Sequence, residues 1–251
     1  MTDFIGVFDS GIGGLTVFSA IKEAFKNENI VYLADTKNCP YGVKSMSEVR
    51  EITLKNISYL KALGAKVIII ACNTATSTII DVIENSNNYI IGVIQPTALE
   101  ALNQSKTKKI GLFATNLTVA SHIYDQYLQK ATLYSEGCSD FVMLIEKGEF
   151  HSKRMKELIK NHVNHIGEVD TLILGCTHFP YIKDEIQEIL PGVQMIESGK
   201  ATTNYLKRYL TPLEKNTKRK LFFLTTGDLT TSQKQITMLN LTFDEVKKVE
   251  I

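Results

Sequence analysis

Residues 66–76 read KVIIIACNTAT, and this stretch decides the expected fold. An unbroken apolar run leads into Cys72, and amide and hydroxyl side chains follow the cysteine. A short apolar run of this kind, bounded by polar residues, is typical of a buried strand in a parallel sheet. Residues 171–180, TLILGCTHFP, repeat the layout around Cys176. The chain therefore places two cysteines at the ends of two similar predicted strands.

Further apolar runs that end in small or polar residues alternate with amphipathic segments along the chain. In Leu15–Phe25, for example, apolar residues recur at helical spacing. This alternation predicts βαβ units and a parallel sheet, and so an α/β fold. The residues 221–228, LFFLTTGD, are expected to add one more strand and a turn. The other predicted strands are Ile5–Asp9, Ile30–Asp35, Lys66–Cys72, Ile90–Gln95, Ile110–Thr115, Thr132–Glu136, Thr171–Cys176 and Val193–Glu197.

The predicted strands repeat in order with a nearly constant offset. Ile5 and Ile110 begin similar segments 105 residues apart, and Cys72 and Cys176 are 104 apart. YLAD at 32–35 matches LYSE at 133–136, and VIQ at 93–95 matches MIE at 195–197, with offsets of 101 and 102. We therefore predict two pseudo-symmetric parallel-sheet α/β lobes with the active site in the cleft between them. The expected division is 1–95 plus 207–251 for the first lobe and 96–206 for the second.

Composition and charge limit the classes of function. With 251 residues, 44% of them hydrophobic, the chain is expected to be a folded globular protein. The net charge of +1 gives no electrostatic reason to expect nucleic acid or a membrane surface as a partner. The apolar runs are too short to span a bilayer, and the N-terminus carries an acid where a signal peptide needs basic residues. We therefore expect a cytoplasmic location.

The cysteines are few and lack the common metal and redox spacings. Four cysteines without a C-x-x-C pair indicate neither a disulfide framework nor a standard zinc site. Cys39 and Cys138 lack the strand-end setting and are interpreted as unreactive. Cys72 and Cys176 need another explanation.

Two thiols that face each other across a cleft are suited to racemisation. Ligands of parallel α/β sheets bind at the carboxyl ends of the strands, so each thiol would approach a bound molecule from its own lobe. One group removes a proton from a tetrahedral carbon, the other returns one on the opposite face, and the roles exchange in the reverse direction. Asp9, at the end of a neighbouring strand, and His178, two residues after Cys176, are the expected helpers.

The same strand ends carry groups that could hold an anion. D-S-G-I-G-G at 9–14 is either an anion cradle or a tight strand-to-helix turn, and it is a poor nucleotide fingerprint because the third glycine of G-x-G-x-x-G is missing. The N-T pair at 73–74 and the T-H pair at 177–178 either hold a zwitterion or cap helices. These alternatives stay open on the residues alone.

Two other functions compete with racemisation. A zinc site could form from Cys72, Cys176 and His178 with a water, although no second histidine lies near Cys72. His162 and His165, three residues apart, are interpreted as a solvated helix face rather than as ligands. A two-lobed binding protein without catalysis is the other alternative, and loss of either cysteine would have favoured it.

Four motifs, in order, resemble a known family: F8-D-S-G-I-G-G14, P40-Y-G42, A71-C-N-T-A75 and G175-C-T-H-F-P180. They are similar to the signature segments of the cofactor-independent glutamate racemases, in the aspartate/glutamate racemase superfamily. The resemblance extends from Ile5 to about Gly199 and returns weakly at T226-G-D228. It departs at Met143, at Gln95 and at Lys200, where relatives have proline, glutamate and an acid.

The resemblance implies an activity and a set of site residues. It implies that Cys72 takes the α-proton of D-glutamate, assisted by Asp9, and that Cys176 takes that of L-glutamate, assisted by His178. Glu146 matches an acidic residue near the second cysteine. The implied substrate contacts are Ser10, Tyr41, Gly42, Asn73, Thr74, Thr115, Thr118 and Thr177.

The resemblance also implies the partners and the role of the protein. It implies that no metal, pyridoxal phosphate or other cofactor is needed. It also implies that the protein forms a homodimer. The implied product is D-glutamate for peptidoglycan synthesis and hence for cell-wall biogenesis and cell shape. A racemase for aspartate or another amino acid of the same superfamily remains the nearest alternative.

Overall fold

A computed structural model describes residues 3–210 and 218–251 of the chain. In chain order its strands and helices are β1 (Phe4–Asp9), α1 (Leu15–Ala24), β2 (Ile30–Ala34), α2 (Met46–Ala62), β3 (Ala65–Ile70), α3 (Asn73–Thr78), α4 (Ile80–Glu84), β4 (Ile90–Gly92), α5 (Ile94–Gln104), β5 (Lys109–Ala114), α6 (Asn116–Ala120), α7 (Ile123–Tyr127), β6 (Thr132–Gly137), α8 (Ser139–Glu146), α9 (Lys153–Val163), β7 (Thr171–Gly175), α10 (Lys183–Ile189), β8 (Gln194–Glu197), α11 (Ser198–Leu206), β9 (Leu221–Thr225), α12 (Leu229–Met238) and β10 (Glu245–Lys248). Two 3₁₀ turns lie at Tyr41–Val43 and Phe179–Ile182.

The strands form two parallel sheets that share one topology. The first sheet has the order β10-β9-β2-β1-β3-β4, and the second has the order β6-β5-β7-β8. The segment β2-β1-β3-β4 therefore corresponds, strand for strand, to the whole second sheet. This correspondence confirms the predicted α/β fold with two pseudo-symmetric lobes. β9 and β10 extend the first sheet beyond β2.

Continuous apolar runs form the central strands because both faces of each sheet are covered. In β1, Val7 contributes to the apolar cluster on one face and Phe8 to the cluster on the other. In β3, Ile69 likewise contributes to the first of these clusters and Ile70 to the second. A strand that alternates between two buried faces needs apolar residues at every position, which is why its sequence shows no polar alternation.

The structure corrects one predicted strand and adds one that was not predicted. The strand predicted over Ile90–Gln95 ends at Gly92, and α5 begins at Ile94. Pro96 lies in the first turn of α5, where its missing N–H interrupts no helical hydrogen bond. β10 was not predicted, because a strand that pairs on one side only can carry the charged sequence EVKK.

The connection between the lobes runs through α5 and α11. α11 follows the last strand of the second sheet and packs against both α1 and α5, and Thr97 Oγ1 donates a hydrogen bond to Ser198 Oγ at 3.2 Å. The division of the chain into 1–95 plus 207–251 and 96–206 stays a prediction, and residues 1–2 and 211–217 lie outside the described part. In the described ranges, no helix combines the length and the apolar character needed to cross a bilayer.

Replacing Ile69 by alanine is predicted to destabilise the first lobe. Its side chain is fully buried in the central strand β3, and removing three carbons leaves a cavity that costs about 2–5 kcal/mol of the free energy of unfolding. Chemical denaturation measures this change. The control is Leu99→Ala, at a side chain that is 39% exposed, for which a change within about 0.5 kcal/mol is expected. Equal effects in the two variants would contradict the assignment of the core.

Candidate active site

The carboxyl ends of the central strands of both sheets open into one pocket. Cys72 follows β3, Cys176 follows β7, and both thiols line this pocket although the two residues are more than nine-tenths buried. The predicted residues that line it with them are Ser10, Tyr41, Gly42, Asn73, Thr74, Thr115, Thr177 and His178.

The thiol of Cys72 lies at the start of α3. Its Sγ accepts a hydrogen bond from the backbone N–H of Ala75 at 3.4 Å, and its S–H donates to Ser10 Oγ at 3.7 Å. Burial is the main cause that raises the pKa of Cys72 to about 12, and the negative charge of Asp9 is the second. The pocket therefore holds Cys72 as a neutral thiol at neutral pH, and forming its thiolate requires a change in the surrounding charge.

Asp9 lies behind the pocket, at the end of β1. Its side chain accepts hydrogen bonds from the Gly11 N–H at 3.0 Å and, across the lobes, from Thr177 Oγ1 at 3.4 Å. Burial raises the pKa of Asp9 to about 6, and the opposing charge of His178 limits the rise. The carboxyl group is therefore mostly ionised at pH 7, but close to its midpoint.

His178 connects Cys176 to Glu146. Its Nδ1 lies 3.7 Å from the Sγ of Cys176, and its Nε2 lies 2.6 Å from Glu146 Oε1. Burial acts to lower the pKa of His178, but the hydrogen bonds to Cys176 and Glu146 outweigh it and raise the pKa to about 10. An imidazolium beside Cys176 is therefore the stable form at neutral pH.

Two glycines allow close packing of the D-S-G-I-G-G turn, Gly13 against the second lobe and Gly14 against Asp9 of its own lobe. A Cβ on Gly13 would lie 2.6 Å from Thr177 Oγ1 and 2.8 Å from His178 Nδ1. A Cβ on Gly14 would lie 2.5 Å from the Cβ of Asp9. The N–H of Gly11 is already engaged by Asp9, so this part of the turn serves the buried carboxylate.

Hydroxyl and amide groups form the polar wall of the pocket. The Oγ1 atoms of Thr74 and Thr115 are 2.9 Å apart across the lobes, and those of Thr115 and Thr118 are also 2.9 Å apart. Asn73 Oδ1 accepts a hydrogen bond from the hydroxyl of Tyr124 at 2.8 Å. The Nδ2 of Asn73 is buried and has no hydrogen-bond partner among the described residues. A buried donor without a partner is the expected mark of a place where a ligand acceptor binds.

Three predicted site residues do not line the pocket. Asp9, Glu146 and Thr118 lie next to the pocket and contact its lining residues, namely Thr177, His178 and Thr115 respectively. The structure thus brings all the predicted side chains to one place, while their roles stay predictions. The lining residues that were not predicted are Cys39, Pro40, Val43, Ser139, Val142 and Met143.

Cys39 is the notable omission from the predicted lining. From the sequence, Cys39 is interpreted as unreactive because it follows no predicted strand. It directly precedes the P-Y-G motif, however, and the residues of that motif line the same pocket. Adjacency to that motif was the signal that could have found it. Burial, together with the charge of Glu146, raises the pKa of Cys39 well above its ordinary value, and the interpretation of this thiol as unreactive stays a prediction.

The donor atoms of Cys72, Cys176 and His178 do not converge as metal ligands do. In residues 3–210 and 218–251, only Glu136, His162 and His165 bring three such atoms within 4.8 Å of one another. The interpretation of His162 as a solvated residue is wrong, because its side chain is 13% exposed and hydrogen-bonds on both nitrogens. His165, at 63%, is exposed as expected.

Comparison with known proteins gives one consistent result. The sequence model of the Asp/Glu/Hydantoin racemase family matches residues 5–206. The chain is 40% identical over 210 residues to the glutamate racemase of Aquifex aeolicus, which covers 82% of this chain and 83% of that protein.

Solved structures agree with the sequence comparison. The structure of glutamate racemase isoform RacE1 from Bacillus anthracis matches 99% of this chain and 98% of its own, with a TM-score of 0.93 and 30% identity. The structure of glutamate racemase from Francisella tularensis in complex with D-glutamate matches with a TM-score of 0.89 and 28% identity, over 99% of this chain and 98% of its own.

Replacing Asp9 by asparagine is predicted to stabilise the protein increasingly as the pH rises. The native pKa of about 6 exceeds the ordinary 3.8, so the stability associated with neutral Asp9 is complete below about pH 3.8 and is lost as the pH rises through about 6. The free energy of unfolding of Asp9→Asn relative to wild type should therefore increase by about 2 kcal/mol between about pH 4.5 and 7.5. A pH-independent difference in chemical denaturation would contradict the buried, perturbed carboxyl.

Replacing Glu146 by glutamine is predicted to lower the pKa of His178. The variant keeps the shape of the side chain but removes the charge that the imidazolium faces at 2.6 Å. Ring ¹⁵N chemical shifts measured against pH follow the titration. Glu149→Gln, a few residues further along the chain, is the matched control and should leave the pKa of His178 near 10. An unchanged titration in Glu146→Gln would remove Glu146 from the site.

Proposed function

The chain belongs to the Asp/Glu/hydantoin racemase family, and from this membership we propose that it is an isomerase that interconverts L- and D-glutamate, with the thiols of Cys72 and Cys176 as the two acid–base groups. One observation carries the proposal. Two buried cysteines, at equivalent strand ends of two matching sheets, line one pocket, and each has a different ionisable neighbour.

The pocket supports an amino acid as the substrate. His178 is the only cationic side chain among the lining residues, so substrate carboxylates are held by hydroxyl, amide and backbone donors. We assign the free Nδ2 of Asn73 to a substrate carboxylate, because binding then satisfies a buried donor that otherwise destabilises the site. The hydroxyls of Thr74 and Thr115 line the pocket next to it, and a substrate carboxylate replaces the hydrogen bond that they now share.

In the direction from D- to L-glutamate, Cys72 acts as the base. Its pKa of about 12 makes the thiolate rare, and the ammonium group of the substrate lowers that pKa by adding a positive charge nearby. Asp9, ionised at pH 7 and buried behind the pocket, accepts the proton that leaves the Cys72 thiol and becomes a neutral carboxyl group. The Cys72 thiolate then takes the α-proton and becomes a thiol.

Cys176 completes the inversion from the opposite face. Its thiol gives a proton to the carbanion-like α-carbon and becomes a thiolate, which the His178 imidazolium at 3.7 Å stabilises. Glu146 keeps that imidazolium in place and charged. The reverse reaction starts with Cys72 as the thiol and Cys176 as the thiolate. Asp9 therefore assists when Cys72 is the base, and His178 assists when Cys176 is the base.

The wider role follows from the family. We propose that the product D-glutamate supplies peptidoglycan synthesis in the cytoplasm and that the protein works as a homodimer. Glutamate is preferred over aspartate because the close relatives are glutamate racemases. Incubation with each L-amino acid, without added cofactor, and chiral chromatography of the products test this preference.

The two-thiol assignment predicts the fate of solvent hydrogen. In deuterated water, L-glutamate should give D-glutamate that carries deuterium at the α-carbon, while the remaining L-glutamate stays unlabelled at early times, because the proton removed and the proton added belong to different thiols. Mass spectrometry of the separated enantiomers measures both pools. Product that retains the substrate hydrogen would contradict two bases.

Each cysteine is predicted to be necessary in both directions. Cys72→Ala and Cys176→Ala should each lower kcat in both directions by at least about 10³-fold, since inversion needs an acid and a base on opposite faces. Cys138→Ala, at a buried cysteine that does not line the pocket, is the matched control and should keep its activity. Substantial two-way turnover in either active-site variant would refute the assignment.

A further inference from the structure

Two histidines and a glutamate form a compact cluster on the second lobe, separate from the pocket. Glu136 lies near the end of β6, His162 lies in the last turn of α9, and His165 follows that helix. Glu136 Oε1 is 2.6 Å from the Nδ1 of His162 and 2.8 Å from the Nδ1 of His165. All three donor atoms therefore converge on one point.

The surroundings of His162 resemble those of a metal-binding imidazole. Its other nitrogen, Nε2, lies 3.0 Å from both carboxylate oxygens of Asp140. The ring of Phe141 packs edge-on against the imidazole at 5.0 Å and an angle of 86°. A carboxylate on the far nitrogen fixes the tautomer and the orientation of metal-bound histidines, and here it leaves Nδ1 directed at Glu136 and His165.

We propose that Glu136, His162 and His165 bind a zinc ion. Two imidazoles and one carboxylate are a donor set that zinc prefers, with a fourth position for water. His165 is 63% exposed, while Glu136 is 18% exposed, so an ion reaches the cluster from solvent without opening the core. The site is independent of racemisation, because none of its ligands lines the pocket.

Binding needs a small and accessible rearrangement. In a tetrahedral zinc site the donor atoms lie about 3.3 Å apart, given bonds of about 2.0–2.1 Å, which is wider than the present hydrogen bonds. Any proton on the Nδ1 of either imidazole leaves when the ion enters, because a metal-bound imidazole is neutral. The exposed ring of His165 can supply most of the movement, and Asp140 keeps His162 in place.

The site would brace the helix that leads to the active site. Asp140 lies in the first turn of α8, and the same helix ends at Glu146, which pairs with His178. A metal that holds His162 also holds Asp140 through the second nitrogen of the ring. Zinc therefore stabilises the fold around α8 and takes no part in proton transfer.

Thermal unfolding tests the site in full-length protein that carries Cys72→Ser and Cys176→Ser, so that the pocket thiols cannot bind the metal. Zinc at about 100 times its Kd should raise Tm by about 5–10 °C. Adding His165→Ala, at an exposed position, should remove most of this shift, and so should adding Glu136→Gln. The matched control is His122→Asn, since His122 is 77% exposed and pairs with one carboxylate only; here the shift should persist.

Cobalt, used as a spectroscopic probe of the same protein, tests the ligands. The proposal expects visible d–d bands of a nitrogen and oxygen site that are absent in the His165→Ala variant, without thiolate-to-metal charge transfer. A zinc-dependent shift that survives both His165→Ala and Glu136→Gln would overturn the proposal, and so would cobalt bands unaffected by these changes. No zinc-dependent shift in the parent protein would also overturn it.

Discussion

Burial of ionisable groups between the two lobes controls the chemistry of the site. Removal from water raises the pKa of Asp9 to about 6 and that of Cys72 to about 12, and it would lower that of His178 if hydrogen bonds to Cys176 and Glu146 did not outweigh it. The two thiols therefore have different electrostatic surroundings: an anion acts on Cys72, and a cation lies next to Cys176. Equivalent positions in two matching sheets therefore carry thiols in unequal surroundings.

The fold supplies this burial by bringing two sets of strand ends together. In each lobe the cysteine that lines the pocket follows the third strand of the order β2-β1-β3-β4 or its counterpart β6-β5-β7-β8. Glycine at positions 13 and 14 lets the first-lobe turn approach Thr177, His178 and Asp9 within distances that no Cβ would allow. Cross-lobe hydrogen bonds from Thr177 to Asp9 and between Thr74 and Thr115 then close the pocket. The pocket and the contact between the lobes thus share residues.

Much of this arrangement could be predicted from the sequence, for identifiable reasons. Central strands such as β3 and β7 are covered on both faces, so their apolar runs are unmistakable, and strand ends of a parallel sheet meet at one edge. The edge strand β10 escaped prediction because EVKK has no apolar run. The early end of β4 was missed because VIQP continues the apolar pattern of the strand into α5.

Contacts between residues that are distant in the sequence could not be predicted. Cys39 lines the pocket through the course of a loop, and its own sequence context lacks the strand-end pattern. His162 meets Glu136 and Asp140 only once α9 has packed beside β6 and α8; the spacing of two histidines contains no trace of those acids.

A crystal structure with D-glutamate in the pocket tests the central claim most directly. Proton transfer on opposite faces requires the Sγ atoms of Cys72 and Cys176 to lie on the two sides of the α-carbon, each about 3.5 Å from it. We predict this arrangement, with the Nδ2 of Asn73 bonded to a substrate carboxylate. Both thiols on one face of the α-carbon, or one thiol out of reach of it, would contradict the two-thiol mechanism.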